Sequence, residues 1–447
     1  MKKFKNPFHR VKRAFTGLFD RASDYVRGVG KQTDEILSGE PIDFSAPSIP
    51  YYENLAARLG FARVVLYMVL LVFVVVTVIS NHRLITYENL YYLAKDIGAA
   101  SQTAKAHADS LSYPISSVGA DFALYRGGLV ISGGDVVTAM SASGRQTLSV
   151  NVAYADPCAR ASDKYCLTFG RGEKNFSVYN AFVQVHTETT EFPVYDAAVG
   201  DNGNFAIVTR SRDYKSEVLI YDGNMEKLAV YHLGGYVTGI SMNEAGDRLG
   251  IVSVESQNGV WVTKITVIRI GNRISQFSAT VTGSLGSTCG YVGDERLAVV
   301  FNDRIMVVNS DATVMGEVHF GDSTPTLAAI GKGSVAILSE SGRDLTQSIL
   351  TVYDKNARVS YSVVLDESHP ITGAGKPTAL AIRENTLFLW AGDQLFRLSG
   401  NGTRISRIDV SHDTLAILPE SDEEVMVCTP AYAYRLSEGD FTPVDMP

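Results

Sequence analysis

From about Asp121 onward the chain repeats a single pattern: strand, turn, strand, loop, strand, turn, strand. One unit is Ala197–Leu233, AAVGDNGNFAIVTRSRDYKSEVLIYDGNMEKLAVYHL, and the next opens at Thr238–Ser256 and closes with KITVIRIGNRISQFSATV. Further units run Cys289–Phe320, Leu327–Leu365 and Leu380–Val410. A twisted four-stranded sheet cannot bury both of its faces alone, so units of this kind are stable only when stacked on their neighbours. The first turns of successive units fall near Gly127, Ser162, Asn202, Glu244, Asp294, Lys332, Glu384 and Glu420, at intervals of about 35 to 50 residues that match propeller blades. The wider intervals coincide with the stretches Glu255–Gly259 and Ser339–Gln347, read as longer loops. The last unit, Leu415–Ser437, lacks a fourth strand, and residues near Tyr113–Val118 are expected to supply it and close the ring. The fold expected is an all-β propeller of eight blades, with seven as the alternative if two weak units merge. An open sandwich would not keep the period.

Ahead of the repeats lies Phe61–Ser80, FARVVLYMVLLVFVVVTVIS, with Phe61, Val64, Leu66, Leu70, Phe73, Val76 and Ile79 along it. About 20 such residues, at 1.5 Å each, span the roughly 30 Å hydrocarbon layer of a bilayer. Its one charge, Arg63, sits at the edge and can reach the headgroups. A cleaved signal peptide is disfavoured: the run is too long, and Asn81-His-Arg83 rather than a small-residue cleavage site follows it. The expectation is a transmembrane signal anchor at 61–80. The first 31 residues hold nine bases and two acids. The positive-inside rule therefore places the head in the cytoplasm and everything after Ser80 outside, a single-pass cell-membrane protein.

The formal net charge of −8 hides an asymmetry: 11 Lys/Arg against 7 Asp/Glu up to Arg63, then 29 against 41. An acidic body argues against nucleic acid as a partner, since phosphate binding needs clustered bases. In the head, residues 1–32, apolar positions recur at Phe4, Phe8, Val11, Phe15, Leu18, Ala22, Tyr25 and Val29, while Lys5, Lys12 and Arg13 fall off that line. This is the pattern of a basic amphipathic helix lying in an anionic membrane surface. The same spacing serves a short coiled coil, through which the chain would form a homo-oligomer. Residues 33–60, with Pro41, Pro47 and Pro50, read as linker; residues 81–112 as an extracytoplasmic stem; residues 113–447 as the propeller domain.

Chemistry-bearing motifs are sparse. Cys158 and Cys166 are equidistant from Ser162, so a hairpin turning there would set the two sulfurs opposite each other, close enough for a disulfide; the alternative is two buried thiols. Cys289 and Cys428 read as core. Gly373-Ala-Gly-Lys-Pro377 imitates a phosphate loop, but Pro370 stands where its first glycine belongs and Pro377 replaces the Ser/Thr that holds Mg²⁺, so it reads as an inter-blade loop. Asp201-Asn-Gly-Asn204 and Asn243-Glu-Ala-Gly-Asp247 hold oxygen ligands, but at hairpin positions where Asp, Asn and Gly serve the backbone. The eight histidines are scattered, and the two tryptophans, Trp261 and Trp390, are too few for the per-blade motif of quinone-dependent propeller dehydrogenases. No catalytic, cofactor or metal residues are assigned.

The anchor, the stem Ile85-Thr-Tyr-Glu-Asn-Leu-Tyr-Tyr-Leu-Ala-Lys-Asp-Ile97 and units such as Val218-Leu-Ile-Tyr-Asp-Gly-Asn224 resemble a family of single-span bacterial membrane proteins with an extracytoplasmic propeller, found in Gram-positive, clostridia-like organisms. The resemblance covers Val64 to the C-terminus and leaves out the basic head. It implies a cell-surface location and no established activity. The expected role is a non-catalytic platform for an envelope protein or a cell-wall polymer, held at the propeller rim. A ligand sensor signalling through the helix is the first alternative, and an enzyme acting in the channel the second.

Overall fold

The computed structural model describes residues 59–60, 62–73, 75, 109–113, 119–180, 183–271, 273–342, 347–399 and 401–444. The chain divides into two compact units, Met1–Leu90 and Tyr91–Pro447.

In the first unit residues 62–73 are helical. Val64, Leu66, Leu70 and Phe73 stand on this helix and are all exposed. Among the described residues no helix is long and apolar enough to cross a membrane. Phe61, Val76 and Ile79 lie outside the described residues, and so do Phe4, Lys5, Phe8, Lys12, Arg13 and Phe15 of the basic head.

The second unit is eight antiparallel sheets, one per sequence repeat. Blade 1 is Asp121–Tyr125, Gly128–Ser132, Val136–Met140 and Gln146–Asn151. Blade 2 is Pro157–Ala161, Cys166–Gly170, Asn175–Tyr179 and Gln184–Thr189. Blade 3 is Val194–Val199, Phe205–Thr209, Ser216–Tyr221 and Lys227–Leu233. Blade 4 is Tyr236–Met242, Arg248–Gln257, Val260–Arg269 and Ser275–Thr282. Blade 5 is Gly286–Tyr291, Arg296–Phe301, Arg304–Asn309 and Val314–His319. Blade 6 is Ser323–Ile330, Ser334–Ser341, Ser348–Asp354 and Val359–Leu365. Blade 7 is Pro377–Arg383, Thr386–Ala391, Gln394–Ser399 and Arg404–Asp409, extended by Thr442–Pro443. Blade 8 is Ala416–Pro419, Glu424–Cys428, Tyr432–Ser437 and, from the other end of the chain, Ser110–Ser112. The first strands of consecutive blades touch all the way round, blade 8 to blade 1 included, so the ring is closed.

Burial explains the residue pattern. Second strands such as Phe205–Thr209 are buried at every position, because neighbouring blades cover both faces. Outer strands alternate: Lys227–Leu233 leaves every other side chain exposed and turns the rest inward. The core therefore lies between blades. Between blades 2 and 3 it is aromatic, with Phe205 stacked on Tyr221 at 4.5 Å and 4° and Phe176 edge-on to both. Between blades 7 and 8 it joins Phe388 and Leu395 to Val425 and Val427.

Closure comes from next to the expected segment. The fourth strand of blade 8 is Ser110–Ser112, paired Ser110 to Tyr434, Leu111 to Ala433 and Ser112 to Tyr432. Leu111 enters the core and Tyr113 follows at the same parity, its hydroxyl donating to the Thr429 carbonyl at 2.7 Å. Residues 114–118 lie outside the described residues. A correction concerns Glu255–Gly259. It is no loop: the two middle strands of blade 4 pair continuously from Arg248–Arg269 to Gln257–Val260. Asn258 and Gly259 turn the chain with φ of 51° and 79°, the left-handed pair a tight hairpin requires.

The disulfide expectation is overturned. The first hairpin of blade 2 pairs Ala161 with Cys166 and Cys158 with Phe169, so its turn centres between Asp163 and Lys164 rather than on Ser162. The offset of three residues sends the two sulfurs to opposite faces of the blade, Cys158 toward blade 3 and Cys166 toward blade 1. All four cysteines are free and buried. Burial raises the pKa of each thiol, that of Cys289 to about 12.

Leu111→Ala should lower the stability of the full chain by about 3 kcal/mol, read by urea unfolding, whereas Ser112→Ala, at an exposed position of the same strand, should leave it within about 0.5 kcal/mol. A thiol raised above its unfolded pKa is protonated, and so unreactive, at pH 8 while folded. A maleimide should therefore label none of the four cysteines before denaturation and all four after it, without reductant.

Candidate functional site

Each first strand runs along the central axis, and the turn that follows it ends at the same mouth of the channel. There the structure holds a cavity of about 960 Å³, lined by residues from all eight blades. Gly127, Ser162, Glu244, Asp294, Lys332 and Glu420, each marked in the sequence as a first turn, line it directly. Asn202 and Glu384 do not, but their neighbours Asp201 and Arg383 do.

The turns interlock. Asn202 and Asn204 of blade 3 both donate side-chain N–H bonds to the Gly246 carbonyl of blade 4, at 3.2 and 2.8 Å. Gly246 has φ of 74°, and a Cβ there would meet the Asn202 Oδ1 at 2.0 Å, so this turn admits glycine alone. Asp201 donates its backbone N–H to the Glu244 carbonyl at 3.0 Å, and Asp163 donates its own to the Asp201 carboxylate at 2.7 Å. These bonds draw three successive turns together. Carboxylate oxygens of Asp163, Asp201 and Glu244 come within 4.8 Å of one another, with Asp163 and Glu244 exposed and Asp201 half-buried.

Charge around the mouth is unevenly distributed. Blades 2 to 5 contribute Asp163, Asp201, Glu244 and Asp294, blades 6 and 7 contribute Lys332 and Arg383, and blade 1 contributes Arg126. Lys332 reaches from blade 6 to blade 4, its Nζ 2.6 Å from the Glu244 carboxylate. Glu420 is committed elsewhere: Arg435, 7% exposed, holds it at 2.8 Å and donates to the Gly127 carbonyl of blade 1 at 2.9 Å. Along the wall, Arg160 of blade 2 bridges Asp121 of blade 1 at 3.4 Å and Asp196 of blade 3 at 2.9 Å. Burial pushes the Arg160 pKa down, and Asp196 and Asp121 outweigh it, so the guanidinium is held more firmly charged than usual.

The lining residues include Cys289 but no histidine, and burial keeps the Cys289 thiol protonated at neutral pH. What the mouth offers is binding chemistry: oxygen acceptors on one arc, cationic donors on the other, in a concave space of ligand size. The sequence marked these residues as turn formers and missed their convergence. The signal present was a charged side chain within one position of all eight expected turns, and its meaning depended on the ring bringing those turns together. Cys158 and Cys166 lie in the walls between blades and not at the mouth. Gly373–Pro377 runs from the end of a short helix at Pro370–Ala374, in the connection from blade 6 to blade 7, to the start of the first strand of blade 7, with Lys376 paired to Glu340 at 2.9 Å.

An eight-bladed propeller with a charge-lined channel mouth is thus the class of protein. The chain belongs to a family of unknown function (DUF5711), whose model matches residues 107–434. No curated protein matches it. Among solved structures it is similar to apo AztD from Citrobacter koseri, at 13% identity and a TM-score of 0.48 over 65% of this chain and 86% of that one. It is also similar to the WD40 domain of Pan2 from Neurospora crassa, at 8% identity and a TM-score of 0.45 over 73% and 93% of the respective chains. The β-propeller domain of Cps50 (Swd1) from Myceliophteria thermophila is matched at 12% identity and a TM-score of 0.43, over 68% of this chain and 100% of that one.

Removing one partner of a buried ion pair strands the other charge. Arg435→Met should therefore lower stability by about 3 kcal/mol, and the double variant with Glu420→Gln should recover part of the loss in urea unfolding.

Proposed function

We propose that this protein is a membrane-anchored platform whose propeller stands outside the cytoplasm and binds an envelope protein or a wall polymer at the channel mouth. The observation that carries the reading is the mouth itself: eight turns from eight rigid blades converge on one charge-lined cavity of about 960 Å³. A closed ring holds such a surface in place without ordering anything on binding, which favours recognition. The anchor rests on Phe61–Ser80, of which residues 62–73 form a helix with exposed apolar side chains such as Leu66 and Phe73, a surface that lipid would cover. The basic head favours the cytoplasmic leaflet, and the acidic remainder suits the other side.

Two measurements test this reading. A phosphatase fused after Pro447, active only on export, should be active in intact cells, and activity confined to a cytoplasmic reporter at the same point would sink the anchor. Crosslinking in intact cells should recover envelope protein or wall material with the native chain. Lys332→Glu, which puts an acid among the bases of the mouth, should reduce that recovery severalfold at unchanged expression. Recovery independent of the mouth would move the binding surface elsewhere.

A further inference from the structure

The acidic arc already holds a primary ammonium, and it is the chain's own. Lys332 arrives from blade 6, two blades away from Glu244, and sets its Nζ 2.6 Å from that carboxylate. Both partners are about half exposed, so the contact is made in open solvent inside the mouth rather than in packed core. An exposed pair of this kind contributes only about 0.5 kcal/mol, so it is readily exchanged. Asp163 and Asp201 complete the group, and neither forms an ion pair with another side chain among the described residues. Release of Lys332 would free the Glu244 carboxylate, which lies within 4.8 Å of those of Asp163 and Asp201, and leave the Lys332 ammonium and Arg383 as cations of the same mouth. Arg383 likewise has no ion pair among the described residues.

From this arrangement we propose that the channel mouth binds a short peptide by its two free termini. The terminal ammonium replaces that of Lys332 beside Glu244 and draws on Asp163 and Asp201 as well, and the terminal carboxylate takes Lys332 and Arg383. The cavity, about 960 Å³, lies at the upper end of the range for small-molecule sites and holds several residues. Charge sign sets the orientation, and each terminus meets groups of the opposite sign, so a ligand with only one charged end satisfies half of the mouth. The proposal rests on the mouth being the binding end of the platform, and adds the chemistry of what it accepts.

Calorimetric titration of the full chain in detergent tests it with three probes: trialanine, N-acetyl-trialanine and trialanine amide, at pH 7, where a free N-terminus is mostly protonated. Trialanine should bind, and blocking either end should weaken binding about tenfold or more, as loss of a charge-assisted contact does. Asp201→Asn should weaken trialanine but leave N-acetyl-trialanine unchanged. Lys332→Met should abolish the preference for the free acid over the amide. Equal binding of the three probes overturns the proposal. So does the absence of heat from all three up to about 10 mM, a range that would reveal even millimolar affinity. Binding of Ca²⁺ without binding of trialanine also overturns it, and would assign the carboxylates to a metal. Because the comparison among probes is made on the native chain, it stands even if a variant fails to fold. If the titrations fail while envelope material is still captured through the mouth, the peptide assignment falls and the platform remains.

Discussion

The ring depends on the pairing of three residues, Ser110–Ser112, with the third strand of blade 8. Every blade needs a neighbour on each face, and only closure gives one to both blade 1 and blade 8. Without it, Leu129 and Ile131 on one side and Met426 and Cys428 on the other would face water, together with an unpaired strand edge. The closing contacts join residues far apart in the chain: the Tyr113 hydroxyl meets the Thr429 carbonyl across 316 positions. Such contacts carry the largest loop-closure entropy and are secured at both ends of the gap. Leu111 and Tyr113 fill the core, and Arg435 clasps Glu420 and the Gly127 carbonyl at the mouth.

Closure also creates the site. In each blade the first strand is innermost, so the turn that follows it has nowhere to go but the rim of the channel. Residues chosen for turning the chain thereby become residues that line the channel mouth. Asn202 and Gly246 show the two roles merging: the bond between them locks neighbouring turns and sets Asp201 beside Glu244. The mouth is consequently as rigid as the blades behind it. The exposed side chains of Lys332 and Glu244 are free to rearrange there, while the buried pair of Arg435 and Glu420 is structural.

Much of this was legible in the residues. Alternation and turn chemistry are local, and they located all eight first turns, the connection at Gly373–Pro377 and the need for a strand from outside the last unit. Errors arose where register mattered. Reading the blade 2 turn as centred on Ser162 put Cys158 opposite Cys166, and a shift of the centre to lie between Asp163 and Lys164 parts the two sulfurs. Periodicity alone cannot resolve such a step, because side chains change face with every residue. The stretch Glu255–Gly259 misled for the opposite reason: polar residues that looked like a loop are the tip of a long hairpin, held by the left-handed pair Asn258 and Gly259.

By itself, then, the sequence determined the repeat, a ring of eight or seven blades and the residues that bend the chain, because hydrogen-bonding pattern and side-chain periodicity act over a few neighbours. It also determined the contrast between a basic, apolar beginning and an acidic remainder, which composition alone records. Only the tertiary structure decided which three residues close the ring, which faces the cysteines take, and that Asp163, Asp201, Glu244 and Lys332 meet. The cysteine faces follow from one hairpin's register, but the mouth and the closure depend on distances between residues 38 to 88 and more than 300 positions apart. No local rule sets such distances; they follow from how eight twisted sheets pack around one axis.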